Sequence, residues 1–314
     1  MKKIFTAAII FCAAMMILGA KSFAAEFELV SYSAQVKLQW LANAGAPEAK
    51  KILNQIGTAN IFEKGNLQDY DRLEKVNGIF QELAYESTLN YFNEKNYTNM
   101  FDIGGGYTPR AMLVAQAGKK YVGAELTAVA ISASSVMQKI LDANSYKNIL
   151  YENVPVADKR AMLDTADTLN GQICIVENGL MMYLPPENVD AMYTFSHEIL
   201  KKHGGCYITS DFVAHELFTE IAAALYGEHD KEILYDETMT MYENLFGDEI
   251  CNDTFDTQAD AKKFLAAHGL KVEEVPLITD VSKLHCLKNL TPEQTEKIKQ
   301  IAAKKYLWVI TTAD

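Results

Sequence analysis

The residues best placed to do chemistry lie in Phe101-Asp102-Ile103-Gly104-Gly105-Gly106-Tyr107-Thr108-Pro109-Arg110. A short apolar run ends in glycines, and a helical pattern begins at once. Glycine permits a tight turn and lets a ligand approach the backbone closely. The helix start adds unpaired N–H groups and the positive end of a dipole, which together suit a phosphate or a carboxylate. A glycine cluster alone is also compatible with a plain strand-to-helix turn. Glu125 changes the balance: it closes the next apolar run about twenty residues on, where a carboxylate accepts hydrogen bonds from both hydroxyls of a ribose. Glycines and acid on consecutive strands predict a nucleoside site. A dinucleotide fingerprint, G-x-G-x-x-G, needs a third glycine for close helix packing. Pro109 holds that position, which disfavours a nicotinamide or flavin and favours a cofactor without a pyrophosphate.

Further candidates follow the later strands. Tyr183, His215 and Glu216 stand after the fourth and fifth apolar runs, and open α/β sheets bind ligands beyond the carboxyl ends of their strands. Tyr183 and His215 are the candidate catalytic residues. Each also has a plain reading, as a packing tyrosine and a solvated helix histidine. Phe218, Tyr235, Met239, Met241, Tyr242 and Phe246 could line an apolar pocket or form core. The histidines show no H-x-x-x-H spacing, so no metal site is expected.

The elements that must position these residues are legible from periodicity. Residues 27–97 read as helical, with Leu29, Tyr32, Val36 and Trp40 on one face and Leu73, Val76, Ile79, Phe80 and Leu83 on another, interrupted at 57–71. From Thr98 short apolar runs alternate with helices. The expected strands are 100–103, 120–125, 148–151, 172–177, 205–211, 271–275 and 306–312, and the expected helices are 109–118, 128–141, 157–167, 186–202, 258–268 and 291–304. This alternation predicts a parallel sheet covered on both faces. Residues 212–256 break the rhythm and read as a helical insertion over the open edge of the sheet.

Asp102-Ile103-Gly104-Gly105-Gly106 followed by Tyr121-Val122-Gly123-Ala124-Glu125 resembles the first two motifs of class I S-adenosylmethionine-dependent methyltransferases. Glu177-Asn178-Gly179-Leu180-Met181-Met182-Tyr183-Leu184-Pro185 resembles the E-G-x-x-M-Y-L signature of the leucine carboxyl methyltransferase and polyketide O-methyltransferase group, and Gly104 to Arg110 that group's G-A-G-x-D-T-R turn. The resemblance covers roughly residues 83–211. It implies a Rossmann-like α/β fold with a seven-stranded, mostly parallel sheet and an antiparallel last strand. It also implies S-adenosyl-L-methionine as cofactor, with Gly104, Gly105 and Gly106 beneath its methionine part and Asp102 positioning that region. Glu125 would hold the ribose with Leu126 beside it. Asn153 and Val154 would flank the adenine, and Glu177 would face the cofactor's amino group or the transfer site. Thr108 and Pro109 depart from the group's aspartate and threonine, and Asn178 is an extra residue after the acid. The group's upstream arginine has only Arg72 as a counterpart.

The composition suits a sizeable core: 314 residues, 49% hydrophobic, 22% charged. The net charge of -12, with Arg72, Arg110 and Arg160 the only arginines, disfavours nucleic acid. Lys2 and Lys3, the apolar stretch 4–19 and a small-x-small site at Ser22 and Ala24 predict an export signal over 1–24, cleaved before Ala25. The stretch is short for a membrane span. The expected organisation is therefore the signal, a helical cap over 25–97 and a catalytic domain over 98–314. The protein is expected to be periplasmic or secreted, with a cytoplasmic or membrane-tethered location as the alternative because this cofactor is made in the cytoplasm. Cys174 and Cys206 read as buried strand residues, and with Cys251 and Cys286 they form no disulfide or zinc pattern. The leading functional expectation is O-methylation of a small-molecule carboxylate or hydroxyl. The alternative is an exported, catalytically inactive methyltransferase-like binding protein.

Overall fold

The computed structural model describes residues 33–57, 70–246, 255, 257–278 and 280–313. The expected export segment, Cys12, Cys251 and the stretch 247–254 of the expected insertion lie outside them. The strands are β1 (Asn99–Ile103), β2 (Lys120–Glu125), β3 (Ile149–Asn153), β4 (Ile173–Val176), β5 (Gly205–Thr209), β6 (Leu270–Pro276) and β7 (Tyr306–Thr312). They form one seven-stranded sheet in the order β3-β2-β1-β4-β5-β7-β6. β1 to β5 pair in parallel, and β7 runs antiparallel to both β5 and β6. This is the Rossmann-like α/β sheet with an antiparallel end that the alternation and the resemblance predict.

The helices are α1 (33–44), α2 (Pro47–Ile56), α3 (Tyr70–Glu94), α4 (Pro109–Gln116), α5 (Thr127–Ile140), α6 (Ala143–Tyr146), α7 (Lys159–Ala166), α8 (Pro186–His203), α9 (Ala214–Tyr226), α10 (Lys231–Phe246), α11 (Gln258–Ala267) and α12 (Pro292–Lys304). Local chemistry sets their ends. Gly269, at φ 72°, follows α11, and Thr291 caps α12 in a reciprocal box with Gln294.

Because successive strand residues point to opposite faces, the core divides in two. Met100, Tyr121, Cys174, Val176, Cys206, Ile208 and Val309 face one apolar cluster, which also takes Leu38, Leu41, Leu73, Leu83, Val114 and Val136 from the helices. Phe101, Ile103, Val122, Ile175, Tyr207 and Trp308 face the other, with Met162, Met192 and Leu265. The N-terminal helices thus share a core with the sheet. Cys174 and Cys206 are register partners across β4 and β5, buried as expected, with their sulfurs 3.9 Å apart.

The described part of the insertion forms α9 and α10. Leu217, Phe218, Ile221 and Ala222 of α9 join the cluster that contains Cys206, Ile208 and Val309, so this helix packs on the sheet face between α3 and α12.

α3 also grips the chain before α12. Buried Glu82 accepts hydrogen bonds from His285 N (2.7 Å), Cys286 N (2.8 Å) and His285 Nδ1 (2.9 Å). One turn on, burial and the nearby Glu82 push the Glu86 carboxyl up to about 7. A carboxyl protonated more readily in the folded state than in the unfolded one loses stability as pH rises from its unfolded value to its folded one. Glu86→Gln is therefore expected to stabilise the protein by about 1–3 kcal/mol at pH 8 and by nothing measurable at pH 4. Denaturant unfolding at the two pH values checks this, and equal effects at both would refute it.

Candidate functional site

The sheet order reverses between β1 and β4, and ligands of such sheets bind at that switch point beyond the carboxyl ends. Parallel pairing brings four segments to this edge: the glycine turn after β1, Glu125 at the end of β2, Glu177-Asn178-Gly179 after β4 and Ser210-Asp211 after β5.

Glu125 reaches the turn directly. Its Oε1 accepts from Gly106 N at 2.5 Å, and only 5% of the residue is exposed. Burial pushes its carboxyl up to about 8, against the pull of the Gly106 N–H. Gly106 has φ 66°, and a Cβ there would meet Ala34 of α1 at 2.9 Å. A Cβ on Gly104, at φ 62°, would meet the Leu180 side chain at the same distance.

Asp102 points inward beneath the turn. Arg110 Nε and Nη2 donate to its two oxygens at 3.0 and 3.1 Å, and Tyr121 Oη donates at 3.1 Å. Burial alone would lower the guanidinium pKa, but the Asp102 carboxylate outweighs it and holds it raised. Arg110 Nη1 also donates to Thr88 Oγ1 at 3.2 Å and to Asn178 Oδ1 at 2.7 Å. Asn178 Nδ2 in turn donates to Ser210 Oγ at 3.0 Å. The extra residue of the β4 motif thus ties the turn to β5. Sequence reading passed over this role of Arg110, although its position in the first turn of α4, eight residues after a buried acid, is a signal for such a pair.

Glu177 does not face a ligand space. It is fully buried. Oε1 accepts from Leu180 N (2.7 Å) and Met181 N (3.3 Å), and Oε2 from Thr209 Oγ1 (3.0 Å) and Tyr207 Oη (3.3 Å). Burial, then the neighbouring Asp211, drive its pKa well above the carboxylate range. The acid shapes the loop after β4 from within, because four converging donors hold it there. Asp211 comes within side-chain hydrogen-bond reach of Glu177 and accepts from Gly179 N with both oxygens, at 2.6 and 2.8 Å.

Lys37 of α1 is the residue sequence reading missed. Its Nζ donates to Asn178 O at 3.2 Å and to Gly179 O at 2.5 Å, and it lies 5.5 Å from the Tyr183 ring centroid. Burial lowers its pKa, and Asp211 and Glu177 oppose that. The nearest cue was its place on the predicted first helix, one residue after Val36. Only the docking of that helix on the glycine turn makes it part of the site.

Two cavities meet at Lys37. The smaller, about 40 Å³, lies at the start of α4 beside Gly105, Thr108, Arg110 and Asn178, with no acid in its lining. The larger, about 400 Å³, extends between the loops after β4 and β5 and helices α3, α9 and α10. Both are lined by Lys37, Gln81, Ala84 and Asn178. His215 and Glu216 line the larger one, where His215 Nε2 lies 3.3 Å from Glu232 and Glu216 pairs with Lys305 at 2.8 Å. Tyr183 lines neither; it packs with Val36, Trp40, Tyr70, Met241 and Tyr242. Docking of α1 and α10 leaves it partly buried against that cluster. Leu126 is 40% exposed, Asn153 is exposed and Val154 is buried, and none of them lines either cavity. Arg72 is directed elsewhere, pairing with Asp230 at 2.6 Å.

Among the described residues no group of three or more His, Cys, Asp or Glu could hold a metal ion, and no helix is long and apolar enough to cross a membrane.

No family model and no curated relative matches the chain. Solved structures similar to it include a DUF574 family protein from Streptomyces avermitilis, at 11% identity over 89% of this chain and 97% of that one, with a TM-score of 0.49. Magnesium protoporphyrin IX methyltransferase from Synechocystis with bound SAH is 11% identical over 86% and 95% of the two chains, with a TM-score of 0.44. The methyltransferase domain of bacterial CtHen1 is 11% identical over 74% and 99%, with a TM-score of 0.44.

Proposed function

We propose that the chain is an S-adenosylmethionine-dependent methyltransferase that modifies an oxygen of a small molecule. The observation that carries this reading is the pair of cavities joined at Lys37: a small, cationic, acid-free seat at a helix start beside a larger apolar chamber. An amino-acid carboxylate suits the seat, because Lys37 has a third N–H beyond its two carbonyl bonds and no described carboxylate lies within 4.0 Å of its Nζ. The start of α4 adds a dipole of the right sign. Glu125, at the other end of the turn, suits a ribose. When bound, the sulfonium supplies an activated methyl group, and transfer then needs mainly alignment and exclusion of water. The residues fit that division: Lys37, Arg110 and Asn178 fix the donor end, and the chamber walls hold the acceptor. In this reading Asp102 and Glu177 position the two loops and touch no ligand.

The contacts of Ala34 and Leu180 on the glycine turn favour a second reading, a methyltransferase-like protein without turnover. Occupation of the turn requires both side chains to shift. The expected export of the chain, proposed from residues 1–24, points the same way.

Calorimetric titration tests the cofactor. S-adenosylmethionine and S-adenosylhomocysteine are expected to bind, and NAD is not. Ribose hydroxyls donate to an ionised carboxylate, whereas Glu125 is largely protonated below about 8. Affinity is therefore expected to increase as pH rises through that value, on the order of tenfold between pH 7 and pH 9, and to be flat in Glu125→Gln. Lack of binding by both adenosyl compounds would overturn the reading. Binding without transfer to a broad acceptor panel would select the second one.

A further inference from the structure

The larger cavity holds a carboxylate that also anchors the loop after β4. Asp211 begins the short turn after β5 and lines the chamber beside Asn178, Ser210 and Phe212. Its backbone N donates to Thr209 Oγ1 at 3.0 Å, and Thr209 in turn donates to Glu177. Gly179 N donates to both carboxylate oxygens, so the side chain is held from the loop after β4 and the backbone from β5. A carboxylate offers about four acceptor positions; Gly179 N uses one on each oxygen and the Glu177 carboxyl a third, so one remains for a ligand. The charged groups facing it are Lys37 from α1 and Glu177 just after β4. In the proposed complex Lys37 is engaged by the donor's carboxylate. His215, by contrast, sits exposed on α9 and turns to Glu232.

We infer that Asp211 selects a hydroxyl-bearing, largely apolar aromatic acceptor and takes the hydroxyl proton during methyl transfer. This deepens the methyltransferase reading and rests on it for the identity of the donor. The walls carry the apolar part: Phe80, Met181, Met182, Phe212, Phe218 and Met239 line the chamber, and methionine and aromatic side chains pack well against flat rings. A volume near 400 Å³ falls within the roughly 300–1,000 Å³ of small-molecule sites. An O–H group donates to Asp211 at no electrostatic cost. A carboxylate acceptor would set two like charges together in a partly desolvated site. In the step itself the acceptor oxygen forms its bond to the methyl carbon as the S–CH3 bond breaks. The bonding pair stays on sulfur, which becomes a neutral thioether, and the hydroxyl proton passes to the Asp211 carboxylate.

Matched probes test this without assuming the natural acceptor. Fluorescence titration of the full chain with 2-naphthol and 2-naphthoate compares hydroxyl with carboxylate on one ring system. The wild type is expected to bind 2-naphthol at least tenfold more tightly. Asp211→Asn should shrink that ratio at least tenfold, and Asp211→Glu should retain it. No binding of 2-naphthol, equal or tighter binding of 2-naphthoate by the wild type, or an unchanged ratio in Asp211→Asn overturns the inference. If circular dichroism shows Asp211→Asn unfolded, the wild-type ratio and its retention in Asp211→Glu decide. These titrations contain no adenosyl compound. A failed calorimetric titration with an intact naphthol preference removes only the donor assignment, and the converse removes only the role of Asp211.

Discussion

Arg110→Met is expected to destabilise the folded chain by about 3–5 kcal/mol, the range for stripping one partner from a buried ion pair. Arg110 is 3% exposed and Asp102 is fully buried, so the remaining carboxylate would be left with Tyr121 as its one side-chain donor. The loss propagates. Thr88 on α3 and Asn178 after β4 lose their shared partner, and Gly105 lies so close over Asp102 that a Cβ there would meet the carboxylate at 2.6 Å. A reorganised Asp102 therefore disturbs the turn as well. Asp102→Asn in the same chain is expected to recover a large part of the loss, because the orphaned charge is then absent. Chemical denaturation of the single and double variants measures both. A single-variant loss below about 1 kcal/mol, the level of an exposed pair, would mean that the site does not depend on this bridge.

Lys37→Met is expected to weaken S-adenosylmethionine binding ten- to hundredfold, matching the roughly 1.5–3 kcal/mol of a hydrogen bond to a charged group. Part of any loss would come from the carbonyls of Asn178 and Gly179, which the ammonium now satisfies. Comparison with 5′-methylthioadenosine, which lacks the amino-acid tail, separates the two causes. Wild-type protein should prefer the full cofactor strongly, and the variant should lose most of that preference. A preference that survives the substitution would place the carboxylate somewhere other than the seat beside Lys37.

The glycine turn and Glu125 were legible because strand-turn-helix chemistry is local: the spacing of Gly104, Gly106 and Glu125 follows from two adjacent parallel strands. The same locality made the helix ends at Gly269 and Thr291 readable. Tyr183 and Glu177 read differently in sequence and in space. Both belong to a motif that follows β4, and the motif fixes their place in the chain without fixing where their side chains turn. Thr209 and Tyr207, from the neighbouring strand, draw Glu177 inward. Val36 and Trp40 of α1 draw Tyr183 against their apolar cluster. The apolar stripe of α9 says only that the helix packs, and its docking against α3 and α12 is set by the whole fold.

By itself the sequence determined the alternating α/β order, the two-faced strands, the glycine-to-acid edge and the apolar stripes, since each depends on periods of two or about 3.6 residues and on the turn chemistry of single residues. Tertiary structure alone decided that Lys37 meets Asn178, that Arg110 bridges β1, α3 and β4, and that Asp211 shares a chamber with α3 and α10. These pairings join residues far apart in the chain. They are set by how whole helices dock on the sheet, where many small packing terms outweigh any local preference.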